Sequence, residues 1–242
     1  MRIVAMDSSF SRGGVALLDG ERVVARSAFE GEEGHVAMLP RELERLMRSS
    51  GWRMAEVERI AVTLGPGTFS GARIALGMAK GFALALGTPV VGFSTLEVVA
   101  AGAAESGWVA TLLDARRGEV YAAVHEIRSC SDPVVRLAPG VWDPDGLAEA
   151  LSRLREPFGA RLTLTGNGLL AYVDRFQSLL DDGCELADPE RWSLDVTLLG
   201  KMAFWSSLRA SSHGLRPVEA LEPMYLRRAD AKEPQGTGVA GA

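Results

Sequence analysis

The chain has 242 residues, of which 47% are hydrophobic and 24% charged, with a formal net charge of −5. That length admits one large domain or two lobes of about 100 to 150 residues each, while the acidic balance excludes a broad phosphate-neutralising surface and leaves any grip on nucleic acid mainly to a partner. Cys130 and Cys184 show neither CxxC nor Cys/His spacing, which excludes a zinc module or a disulfide scaffold and fits reduced thiols in the cytoplasm.

In chain order, RIVAMDSS, GGVALLDG and ERVVARSAFE are three β-type runs, the last two joined through the Asp19-Gly20 turn. MRIVAMDSSF has too short an apolar run for a secretory signal and reads as the first strand. After the acidic loop EGEEGH, residues 36–50 place Leu39, Leu43, Leu46 and Met47 at helical spacing with charged residues opposite. RIAVTLG is a strand, GPGTFSG a loop, and ARIALGMAKGFALALG a helix that Gly87 closes. Lys80, Arg73 and the Gly-Thr-Pro at 87–89 make that helix a poor membrane span. PVVGFS is a strand, and Ser94-Thr95 opens another helix.

The pattern then partly restarts. VATLLDARRGEVYAAVHEI is two strands around a turn, RLTLTGNG is a further strand, and helices are expected near residues 145–155, 168–180 and 195–210, with irregular chain between Cys130 and Pro144. This describes an α/β protein of two lobes, 1–101 and 102–242, each a mixed sheet with flanking helices. The tail after Arg228 is rich in Gly, Ala and Pro and is expected to be disordered at its end. The pairs Arg116-Arg117 and Arg227-Arg228 read as solvated surface arginines.

Candidate sites are few. The loop from Gly65 through Gly67 to Gly71 fits neither the P-loop nor the dinucleotide fingerprint: it lacks the lysine of the first and has Ser70 where the second needs glycine or alanine. Its glycines admit two uses, an anion at a helix N-terminus or a tight turn with close packing. Asp7 and Ser8 could serve a magnesium-bound phosphate or cap a turn, and TGNG at 165–168 offers a second such turn. His35, His125 and His213 form no HxxxH pair, and there is no GxSxG elbow. No cofactor and no metal is expected. In the helix after the loop, Gly77, Gly81 and Ala85 fall four apart and leave a strip without bulk, open to internal packing or to a partner.

Four segments, AMDSS, AVTLGPGTFSGARIALGMAKGFALALGTPVVGFSTLE, LLDARRGEVYAAV and EPMYLRRADA, together resemble the TsaB, or YeaZ, family. The resemblance covers the first 127 residues well and the C-terminal part thinly. It implies the two-lobed actin-like fold of sugar kinases, Hsp70 and actin, built on ribonuclease H-like lobes (the ASKHA superfamily). It also implies a role in making threonylcarbamoyladenosine beside the tRNA anticodon.

In that family the TsaB-like chain is the non-catalytic partner of TsaD, which carries the HxxxH motif, and helps recruit the ATPase TsaE. It reaches tRNA only through that complex and touches no membrane. The pairing surface maps onto residues 36–50 and 70–86: Leu39, Leu43, Leu46 and Met47 on the first helix; Arg73, Ile74, Gly77, Met78, Gly81 and Ala85 on the second. Without TsaD the same helices would meet in a homodimer. Two departures stand out: Gly67-Thr68-Phe69-Ser70-Gly71 where the family usually reads Gly-Ser-Phe-Thr-Gly, and His35-Val36-Ala37 where Ser-Glu commonly follows the histidine. The second alters the start of the first pairing helix. The alternative is an ATP-dependent small-molecule kinase or phosphohydrolase of the same superfamily, using Asp7, the glycine loop and TGNG; a peptidase has no nucleophile or metal signature behind it.

Overall fold

The computed structural model describes residues 1–10, 12–30, 35–155, 161–208 and 217–227. Loop residues 31–34, the tail from Arg228 and His213 lie outside the described residues, as do the side chains of His35 and Val36.

The first sheet is built from β1 (Arg2–Asp7), β2 (Arg12–Asp19), β3 (Arg22–Glu30), β4 (Arg59–Thr63) and β5 (Val90–Phe93), with α1 (His35–Ser50) between β3 and β4 and α2 (Phe69–Leu86) between β4 and β5. After α3 (Thr95–Ala103) the second sheet forms from β6 (Gly107–Asp114), β7 (Val120–Ile127), β8 (Pro133–Trp142), β9 (Leu162–Thr165) and β10 (Glu185–Leu186). Helix α4 (Pro144–Arg155) precedes β9, and α5 (Leu169–Tyr172) and α6 (Gln177–Asp181) precede β10. The last helix is α7 (Val196–Leu208).

The strand orders, β3-β2-β1-β4-β5 and β8-β7-β6-β9-β10, are the same topology twice: an antiparallel meander followed by two parallel strands. This doubled ribonuclease H-like arrangement is the two-lobed actin-like architecture expected from the sequence.

Alternation along the strands sorts side chains into layers. Val4 and Met6 of β1 and Ile60 and Val62 of β4 face α1 and α2, whereas Ile3, Ala5 and Ala61 face α3 and α7. In the second sheet Leu112, Ala122 and Val124 face α4, α5 and α6, and Val109, Leu113 and Ala123 face α3. The layers therefore run helix, sheet, helix, sheet, helix. Helix α3 follows the first sheet yet lays Leu96 and Val99 on the second, while α7 follows the second sheet and packs Val196, Leu199 and Met202 on the first. The expected division between residues 101 and 102 falls inside α3, and α7, grouped by sequence with the second lobe, packs on the first sheet.

Two expectations need correction. The chain between Cys130 and Pro144 is not irregular: β8 pairs antiparallel with β7, at the sheet edge, where Pro139 is tolerated and register shifts after Ala122 and Val124 absorb the break. The helix expected at 168–180 is divided into α5, a 3₁₀ turn over Val173–Phe176 and α6.

Candidate functional site

The loop and the helix α2 are set by local chemistry. Thr68 caps α2, its Oγ1 accepting the Gly71 N–H at 3.1 Å, and Gly87 ends it at φ 71°, in the left-handed region. The loop is clasped to the end of β1. The Thr68 N–H donates to the Ser9 carbonyl at 2.7 Å, and the Ser8 hydroxyl donates to the Gly71 carbonyl at 2.6 Å. A Cβ on Gly71 would lie 1.9 Å from the Ser8 carbonyl oxygen, and one on Gly67 2.3 Å from that of Ser9. The glycines are there because two backbones touch. The Gly65 carbonyl accepts the Thr95 N–H at 2.8 Å, tying the loop to α3 as well.

Asp7 is 2% exposed, and its Oδ1 accepts from the Ser9 backbone N–H, the Ser9 hydroxyl and the Thr63 hydroxyl. The carboxylate is engaged in holding the β1 terminus. In the second lobe the Asn167 side chain accepts the Asp114 N–H at 3.1 Å, so TGNG clasps the end of β6 in the same manner. Between these clasps lies a cleft of about 190 Å³, lined by Phe10, Phe69, Tyr121, Asp114, Arg116 and Asn167 among others. Ligand pockets run from about 300 Å³ upward, so this cleft is small for a nucleotide. A neighbouring cavity of about 480 Å³ has Arg12 and Arg26 on its wall with Asp7, Glu190 and Asp195. Among the described residues no group of three or more His, Cys, Asp or Glu is placed to hold a metal ion. Neither cavity is lined by all three elements of the kinase alternative: the first has the glycine loop and Asn167 without Asp7, the second Asp7 without either loop.

The pairing residues expected on the two helices separate into three groups. Leu39, Leu43, Leu46 and Met47 are buried, at 7% exposure or less, in the core between α1 and the first sheet. The pairing surface that the resemblance maps onto them is therefore corrected for these four: an apolar stripe at helical spacing marks a buried face without saying what buries it, and here the sheet does. Ile74 and Met78 are half-buried against the same core. Arg73, Gly77, Gly81 and Ala85 are exposed, and a Cβ at Gly77 or Gly81 would meet no atom within 4 Å. Sequence reasoning missed Phe69, Leu84 and Leu86, which are 50%, 77% and 45% exposed on the same helix. The missed signal was Leu84 one turn beyond Gly81, a large apolar residue in line with the strip.

At the head of this flank the Arg73 guanidinium lies 3.6 Å from the Phe69 ring centroid and 5.4 Å from that of Tyr225, and its Nε donates to the Tyr225 hydroxyl at 2.5 Å. Helix α2 is long and apolar enough to cross a membrane, with 28% of it buried. Its packed side, Ala72, Ala75, Leu76 and Ala79, is fixed in the body of the fold, which leaves the opposite side as a bare flank of a folded lobe.

Residues 30–235 match the family model described as TsaD: tRNA N6-adenosine threonylcarbamoyltransferase. The tRNA threonylcarbamoyladenosine biosynthesis protein TsaB of Escherichia coli (strain K12) is 35% identical over 239 residues, covering 94% of this chain and 95% of the relative. The chain belongs to the TsaB family. The TsaB protein of Haemophilus influenzae is 29% identical, with 94% of each chain covered. Among solved structures, YeaZ from Pseudomonas aeruginosa superposes with a TM-score of 0.76 at 26% identity, covering 93% of this chain and 99% of that one. A hexokinase of the ROK family from Thermus thermophilus, at TM-score 0.50 and 14% identity over 84% of this chain and 99% of its own, shares the fold alone.

Proposed function

We propose that this chain is the non-catalytic partner of a TsaD threonylcarbamoyltransferase in making threonylcarbamoyladenosine in tRNA, acting in the cytoplasm. It docks through the bare flank of α2, helps recruit TsaE to the pair, and meets tRNA only within that complex. The observation that carries this reading is the exposed strip of Gly77, Gly81, Leu84 and Ala85 on a chain of the TsaB family. Small residues let a partner helix approach closely, and Leu84 and Phe69 give apolar area at either end. In the absence of TsaD the same flank would bring two copies together about a two-fold axis.

The open space at Gly77 and Gly81 makes the test clean. Gly77→Leu and Gly81→Leu raise helix propensity by roughly 0.5 to 1 kcal/mol and meet nothing inside the chain, so melting temperature should hold or rise. Affinity for TsaD of the same organism, read by sedimentation or calorimetry, should fall at least tenfold. Undiminished affinity in both variants would refute the docking face.

A further inference from the structure

The chain after α7 returns as a short strap across both lobes. In the first lobe, Leu221 is buried to 1% exposure in the core under α1 and α2, and the Met224 N–H donates to the Leu64 carbonyl at 2.6 Å. Tyr225 stacks on Phe69 with ring centroids 5.5 Å apart and accepts from Arg73. One residue on, the strap reaches the second lobe. Leu226 packs against the cluster that holds Leu113 and Ala123, and Arg227 donates to the Ala115 carbonyl at 2.9 Å and forms an ion pair with Glu119. Ala115 and Glu119 are the feet of the β6–β7 turn, in which Arg116 and Arg117 hold φ of 64° and 60°. Side chains rarely adopt that conformation without support, and the Arg227 fork fastens the feet of this turn.

We propose that residues 221–227 are an interlobe clamp: a strap that fixes the angle between the two sheets and keeps the cleft between Phe69 and Tyr121 closed. Helices α3 and α7 join the lobes from within, and the strap adds a tie at the mouth of the cleft, where the two Asp7- and Asn167-centred clasps face each other. The hydrogen bond and ion pair of Arg227 are the separable part of that tie, since Leu221 is built into the first core. If the docking reading above holds, the clamp also makes the α2 flank and the second lobe one rigid body for the partner to meet.

The experiment uses the full chain alone, so its outcome is independent of TsaD. Spin labels are placed on native Cys130 in the second lobe and on Ser49→Cys in the first, in a Cys184→Ser background, and the interlobe distance distribution is recorded by pulsed dipolar spectroscopy. The clamp requires a single narrow distribution in the parent and a broader or shifted one in Arg227→Ala. Amide exchange at residues 115–119 should accelerate about tenfold, the expected effect of losing a charge-assisted hydrogen bond. Glu119→Gln, at a half-exposed position outside the core, removes the ion pair alone and should give a smaller change in the same direction. An unchanged distribution with unchanged exchange in both variants would overturn the clamp. If Arg227→Ala melts too low to measure, Glu119→Gln decides on the same two readings.

Discussion

Two buried ionisable groups on the inner layer should oppose each other in the pH dependence of stability. Glu97, in the first turn of α3, accepts the Ser94 N–H but is desolvated, and burial raises its pKa from 4.5 to about 7. His125 on β7 is 2% exposed, its Nδ1 finds no partner among the described residues, and burial lowers its pKa from 6.5 to about 4. The folded chain holds a proton on Glu97 that the unfolded chain has released, so this contribution is complete below pH 4.5 and is lost as pH rises through 7. His125 behaves oppositely: its contribution is complete above pH 6.5 and is lost as pH falls through 4. At about 1.4 kcal/mol per pH unit each is worth roughly 3 kcal/mol across its window, and between pH 4.5 and 6.5 the two slopes cancel. Glu97→Gln keeps the acceptor for Ser94 and removes the titration. Relative to the parent, the variant should therefore gain about 2 to 3 kcal/mol as pH rises from 4.5 to 7.5, measured by urea unfolding at several pH values. His125→Leu should gain a similar amount as pH falls from 6.5 to 4. A stability difference for Glu97→Gln that does not vary with pH would refute the assignment of a neutral buried carboxyl.

Gly71→Ala places a methyl 1.9 Å from the Ser8 carbonyl oxygen and should cost at least 1 to 3 kcal/mol, seen as a drop in urea midpoint, whereas the same change at Gly81 should be neutral or stabilising. Leu43→Ala should lose about 2 to 5 kcal/mol by opening a cavity under α1; a change of less than 1 kcal/mol would mean that α1 is not seated on the sheet. Asp7→Ala removes the acceptor shared by the Ser9 N–H and the Ser9 and Thr63 hydroxyls and should cost about 1 to 3 kcal/mol. Parent and Asp7→Ala should give the same flat titration with magnesium-ATP in calorimetry, and micromolar binding abolished by the variant would restore the kinase reading.

Much of the first lobe was legible because its signals are local. Asp19-Gly20 marks a hairpin and Gly87 a helix end, and each does so through the few residues around it. What was not legible depends on contacts far along the chain. The Leu39–Met47 stripe has the period of a buried helix face, but only the sheet's position shows that the burial is internal. The glycines of GPGTFSG announced close approach without naming Ser8 and Ser9, more than fifty residues away, as what they approach. Pro139-Gly140 hid β8 because a strand broken in that way needs an edge and a shifting partner to survive. Leu84, which is bare, and Leu76, which is buried, belong to one apolar helix, and only their places relative to the small-residue strip tell them apart.

The exchange of α3 and α7 between the sheets has a consequence for how the chain folds. Each half of the doubled pattern leaves part of its own inner face to be covered by a helix that the other half delivers. A fragment ending after α3 would leave Ile3, Ala5 and Ala61 without Leu199 and Met202, and a fragment beginning at β6 would leave Val109 and Leu113 without Val99 and Ala100. Although the topology is that of one unit written twice, neither copy retains a complete core, so the two should form and dissolve in a single cooperative step.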